Sequence, residues 1–131
     1  EDRLNNIHLI PPVDRSKLLG YYNNTDMFLL QLNDIPAFKK VLPSKIFDYG
    51  SFDKPILAGV QGVANTFINK NLPDAFLFDP SDVKSVIKYI DTILENGFPL
   101  INNEHFIEKF SRENIMNDML GSILSSYNKK D

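Results

Sequence analysis

Short apolar runs alternate with helix-period stretches through the first hundred residues of the chain. Asn6-Ile-His-Leu-Ile10, stopped by Pro11-Pro12, reads as a strand. Asp14 or Ser16 can then cap a helix through Lys17–Tyr22, which the Asn23-Asn-Thr25 cluster ends. Asp26–Leu32 is a second buried strand, and Asn33–Leu42 a loop holding Pro36, Lys39 and Lys40. A helix over 44–52 and a strand over 55–60 follow; Pro55-Ile-Leu-Ala-Gly-Val60 is apolar enough to be covered on both faces. Gly62 opens a helix through Phe67-Ile68, closed by Asn71 and Pro73, and Asp74–Phe78 is a fourth strand. Asp79-Pro-Ser-Asp82 is a helix start with capping candidates. Val83, Val86, Ile87, Ile90, Ile93 and Leu94 then form one apolar stripe that stops at Asn96-Gly97.

Strands alternating with helices imply βαβ units joined by right-handed crossovers. The expected fold is therefore α/β, a parallel sheet of about four strands with helices on both faces. The C-terminal end departs from the alternation. Asn103–Phe110 reads as a short helix, and Ser111 can cap a last one. Met116, Met119, Leu120, Ile123, Leu124 and Tyr127 form a stripe with no strand after it. That helix either closes the core or docks on something else, with a second copy of the chain as a candidate partner.

Composition narrows the function classes. A length of 131 residues suits one domain burying roughly two-thirds of its unfolded surface. A net charge of −3 argues against a nucleic-acid partner, though local lysines can still hold a phosphate. With no cysteine there is neither a disulfide framework nor a thiolate zinc site. His8 and His105 lack metal-ligand spacing, so no metal is expected. No run approaches the ~18 apolar residues of a membrane span, and no leader pattern is visible.

Ligands of an open parallel sheet bind beyond the carboxyl ends of its strands. Three connections are candidates: 11–16, 33–43 and 59–62. The second carries Lys39 and Lys40 into a helix that starts at Pro43-Ser44-Lys45. Proline is tolerated there because its missing N–H would be an orphan, and Ser44 can cap. Outward N–H groups and lysines favour an anion. Asp48, one turn on, repels phosphate but can accept two hydroxyl hydrogen bonds from a sugar diol. Together these would hold a nucleotide, although on the residues alone an ordinary solvated turn is the commoner reading. Neither a Gly-x-Gly-x-x-Gly nor a P-loop signature is present, and no hydrolytic triad or carboxylate pair declares itself. No catalytic residue can be named.

Pro43-Ser-Lys-Ile-Phe-Asp-Tyr49 followed by Lys54-Pro-Ile-Leu-Ala-Gly-Val60 resembles the donor-binding segment of retaining glycosyltransferases with the GT-B fold. The likeness is to family 4 enzymes of bacterial capsule and lipopolysaccharide synthesis. Leu18-Leu-Gly-Tyr-Tyr22 before Asp26-Met-Phe-Leu-Leu30 resembles the step that precedes that segment in the family, and Ser111 with its helix resembles the closing helices. The resemblance implies a Rossmann-like domain and transfer of a hexosyl or N-acetylhexosaminyl group from a UDP- or GDP-sugar. Asp48 falls on the acid that holds the ribose. The acid that touches the sugar, eight residues earlier, is replaced by Lys40, a departure from the pattern. Pro43, Ser44 and Lys45 fall on the helix start that faces the diphosphate. No cofactor or metal is implied. The chain would be the latter part of the donor domain, with an N-terminal acceptor domain absent and activity requiring it. The setting implied is cytoplasmic, at the inner face of the membrane. A receiver- or flavodoxin-like interaction module, or an epimerase of the same fold, is the alternative reading.

Overall fold

The computed structural model describes residues 5–127. In chain order it has α1 (Arg15–Asn24), β1 (Phe28–Gln31), a 3-10 helix (Pro36–Lys40), α2 (Lys45–Tyr49) and β2 (Ile56–Gly59). It continues with α3 (Gly62–Asn71), β3 (Phe76–Phe78), α4 (Val83–Asn96), α5 (Glu104–Lys109) and α6 (Arg112–Tyr127). The architecture is α/β, with an open parallel sheet in the order β1-β2-β3. No described helix is long and apolar enough to cross a membrane.

The sheet has three strands where the sequence pattern predicts about four. Residues 7–10 form no strand, and Ile7, Leu9 and Ile10 are 59%, 94% and 52% exposed. An apolar run states a preference for burial, but a strand exists only through its ladder partner. Among the described residues none pairs with the outer edge of β1. The 33–42 loop is also more ordered than expected. Pro36 fixes φ at the first position of the 3-10 helix, closed by Phe38 N–H to Ile35 O (2.9 Å) and Val41 N–H to Phe38 O (3.1 Å).

Register shows how the faces are shared. Phe28 pairs with Ile56, Leu30 with Ala58, and Ala58 with Leu77. This face belongs to the main core, with Ile46 of α2, Ala64 and Ile68 of α3 and Phe106 of α5. The other face carries Leu57, Gly59, Phe76 and Phe78, and Tyr89 of α4 stacks on Phe76 at 4.1 Å. β2 is buried throughout, as its continuous apolar run predicts, whereas Leu29 of β1 remains 56% exposed.

Helix α2 is shorter than the expected 44–52. Its closing hydrogen bonds tighten to i→i−3, from Ser51 N–H to Asp48 O (3.2 Å) and Phe52 N–H to Tyr49 O (3.1 Å). The turn after it is held from the C-terminal part of the chain. The buried Asn103 donates its side-chain amide to Phe52 O at 2.7 Å, and its N–H donates to the Asp53 carboxylate at 2.8 Å. The Phe106 ring lies against Gly50, where an added Cβ would meet it at 2.4 Å. Lys54 then reaches back and donates to Tyr22 O (2.9 Å), Asn23 O (2.6 Å) and Thr25 O, closing the carbonyl end of α1. Asp14 and Asp82 cap α1 and α4 by accepting from Lys17 N–H and Ser85 N–H.

Candidate functional site

The α2 segment is gripped from both sides by aromatic rings. Tyr49 stacks on Phe28 at 4.5 Å and meets Tyr22 edge-on at 5.7 Å. Phe47 meets Phe67 at 5.6 Å and Phe110 at 5.4 Å, and Ile46 is fully buried beneath. A helix of only five residues would be marginal alone; packing fixes it. Its exposed side chains are therefore held on a rigid base. Because α2 connects parallel strands β1 and β2, it runs against them and starts at their carboxyl end.

Ser44 does not cap with its side chain, contrary to expectation. Its backbone is already helical (φ −61°, ψ −27°), while its carbonyl accepts from Phe47 N–H at 3.1 Å. A capping side chain needs an extended backbone, and Pro43 O receiving Ile46 N–H at 3.2 Å draws Ser44 into the turn instead. The N–H groups of Ser44 and Lys45 have no acceptor among the described residues, and both residues are exposed. With so short a helix, anion attraction rests on these donors and on lysine side chains rather than on a long macrodipole.

Lys40 ends the 3-10 helix, and Lys40 and Lys45 are exposed without an ion pair among the described residues. Lys39 lies 3.8 Å from Asp34. The 3-10 helix is pinned over the β2–α3 turn. Gly62 has φ +62°, and a Cβ on it would stand 2.1 Å from Lys39 O. This contact narrows the mouth beyond β1 and β2 to a cavity of about 10 Å³, lined by Leu32, Ile35, Phe38 and Gln61 among others. Ligand-sized space therefore does not lie between those two strand ends. The 11–16 connection leaves no strand, so it is not a strand-end site either. A larger open groove of about 750 Å³ runs along α3, from Lys39 and Val63 to Lys70 and Lys109.

Asp48 shares a helix face with Ser44, four residues before it. Its side chain is 35% exposed, and Arg15 at the start of α1 approaches it at 3.7 Å. No hydrogen bond to this carboxylate is formed among the described residues, so both oxygens can accept. Burial raises the Tyr49 phenol, with Tyr22 and then Asp48 adding to it. Burial also raises Tyr22, Asp48 adds to it, and Arg15 opposes. Asp48 thus stands beside neutral phenols and one guanidinium.

Fold and motif place Pro43, Ser44, Lys45 and Asp48 on one short segment, with Lys40 just before it. Arg15 was not foreseeable, because it is brought to Asp48 by tertiary packing across 33 positions with no local pattern. Lys54 and Asn103 belong to the scaffold of the site, through the backbone contacts described above. Among the described residues no group of three His, Asp or Glu could hold a metal ion. Comparisons with protein-family models, curated proteins and solved structures return no match to this chain.

Proposed function

We propose that the chain forms part of the donor-nucleotide site of a retaining glycosyltransferase of the GT-B type, acting in surface polysaccharide synthesis. The observation that carries this reading is the Asp48 carboxylate, mounted on an aromatic-braced helix, partly open, and engaged among the described residues only by Arg15 at 3.7 Å. It is one turn from the open N–H groups of Ser44 and Lys45.

In this reading Asp48 accepts the two ribose hydroxyls of a UDP- or GDP-sugar. Ser44 and Lys45 N–H groups meet the diphosphate, and Pro43 sets the backbone that presents them. Lys40 and Lys45 offset the negative charge that grows on the departing diphosphate, which is where such an enzyme gains most of its rate. Lys40, standing where the family has an acid, moves sugar recognition to other groups. A GT-B enzyme completes its cleft with a second, acceptor-binding domain, so transfer belongs to the two together, at the cytoplasmic face of a membrane.

Titration calorimetry with UDP and GDP tests the reading. Asp48→Ala is expected to weaken binding by ~1–3 kcal/mol, the scale of hydrogen bonds to a charged group. Equal affinity of the variant and the parent chain would remove Asp48 from the site.

A further inference from the structure

Helix α6 spans 16 residues and buries none of them. Its apolar stripe, from Ile115 to Tyr127, is 47% to 75% exposed. Apolar faces of this extent on a folded chain mark interaction surfaces. We propose that α6 pairs antiparallel with α6 of a second copy, independently of the nucleotide reading.

The stripe carries its own argument for that partner. It is symmetric about the midpoint between Met119 and Leu120. Met116 and Ile123 are equidistant from that point, as are Ile115 and Leu124, and so are Arg112 and Tyr127. Laid antiparallel on a copy of itself, the helix therefore sets apolar against apolar at every inner position. Met116, Leu120, Ile123 and Tyr127 also follow the alternating four- and three-residue spacing of a coiled-coil seam. Such a contact is isologous and closes on two chains.

Arg112 bears on the direction. Arg112 falls on the axis of the stripe rather than on the polar face, is exposed, and has no ion pair among the described residues. An antiparallel pair brings it to the carbonyl end of the other helix and to the ring of the partner's Tyr127. Both contacts favour a cation. A parallel pair would place two Arg112 side chains together, and the two helix dipoles side by side in the same sense. Asn117, Asp118, Ser122 and Ser125 lie outside the seam.

Light scattering after size exclusion should give a mass approaching twice 15.0 kDa as concentration rises. Met119→Glu with Leu120→Glu should return the single-chain mass at every concentration and keep the thermal midpoint that the parent chain shows when dilute, since no α6 residue belongs to the core. The chain has no cysteine, so orientation can be read by cross-linking. A mixture of Met116→Cys and Ile123→Cys chains should oxidise to the mixed disulfide in preference to either same-variant pair. A single-chain mass at every concentration would overturn the proposal, as it would if another segment covers α6. Preferential same-variant disulfides would overturn the antiparallel arrangement.

Discussion

The carbonyl oxygen of Lys39 sits so close over Gly62 that a Cβ on that residue would be 2.1 Å away. Two independent constraints converge there, because Gly62 also has a positive φ of 62°. The neighbour is backbone and cannot rotate aside. Gly62→Ala should therefore cost ~2–4 kcal/mol, combining left-handed strain with overpacking. Urea denaturation measures it. A loss within ~0.5 kcal/mol would mean the 3-10 helix lifts freely, and Lys40 would then have no fixed place beside α2.

Lys54 is expected to matter for stability rather than for ligand binding. Its ammonium donates to three carbonyls at the end of α1, joining that helix to the start of β2. Lys54→Met keeps the stem and removes the charge. It should lower stability by ~1.5–3 kcal/mol, the value of hydrogen bonds to charged groups, with nucleotide affinity of the folded fraction unaltered. Denaturation and calorimetry on one preparation separate the two effects.

Acid should weaken the fold through three carboxylates. The Ser16 hydroxyl and then Lys17 N–H hold Asp14 below its ordinary value of 3.8. The Ser85 hydroxyl and N–H do the same for Asp82. Asp79 is lowered by the Ser81 hydroxyl and N–H and by the Gln61 amide. Each group binds protons less readily when folded, so its contribution is in place above the ordinary value. It is lost as pH falls through the lower folded values. The thermal midpoint should fall on that acid limb, and Asp82→Asn should make the limb shallower. An unchanged limb would show that Asp82 is not a working cap.

Much of this architecture was legible because its determinants are local. The β2 run, the α4 stripe and the Asp82 cap are written in consecutive residues, and they appear where their patterns place them. Three things were not. Residues 6–10 look like a strand, but no ladder partner forms among the described residues, and pairing is non-local. Ser44 has a capping identity, yet Pro43 O draws it into helical φ/ψ, and identity does not encode that competition. Arg15 meets Asp48 only because the fold brings α1 to α2 through Tyr22 and Tyr49. The segment bearing the candidate site was visible in its motif, while the residues that brace it, Lys54, Asn103 and Phe106, become apparent only in the packing.

Asp48 should be nearly neutral for folding. Its partner Arg15 is 76% exposed and the pair is separated by 3.7 Å. Such surface pairs contribute ~0–1 kcal/mol. Arg15→Ala is therefore expected to shift stability by less than ~1 kcal/mol in denaturation. A larger loss would make the pair a structural clamp between α1 and α2, and would remove the premise that the carboxylate is available to a ligand.

The most direct test of the donor-site reading is amide resonance mapping during UDP addition. Ser44, Lys45 and Asp48 should move together in a saturable way, with Lys40 following and the α4 amides still. Asp48→Ala should weaken that response while the spectrum stays folded. Amides of 44–48 that remain still at saturating UDP would contradict the account.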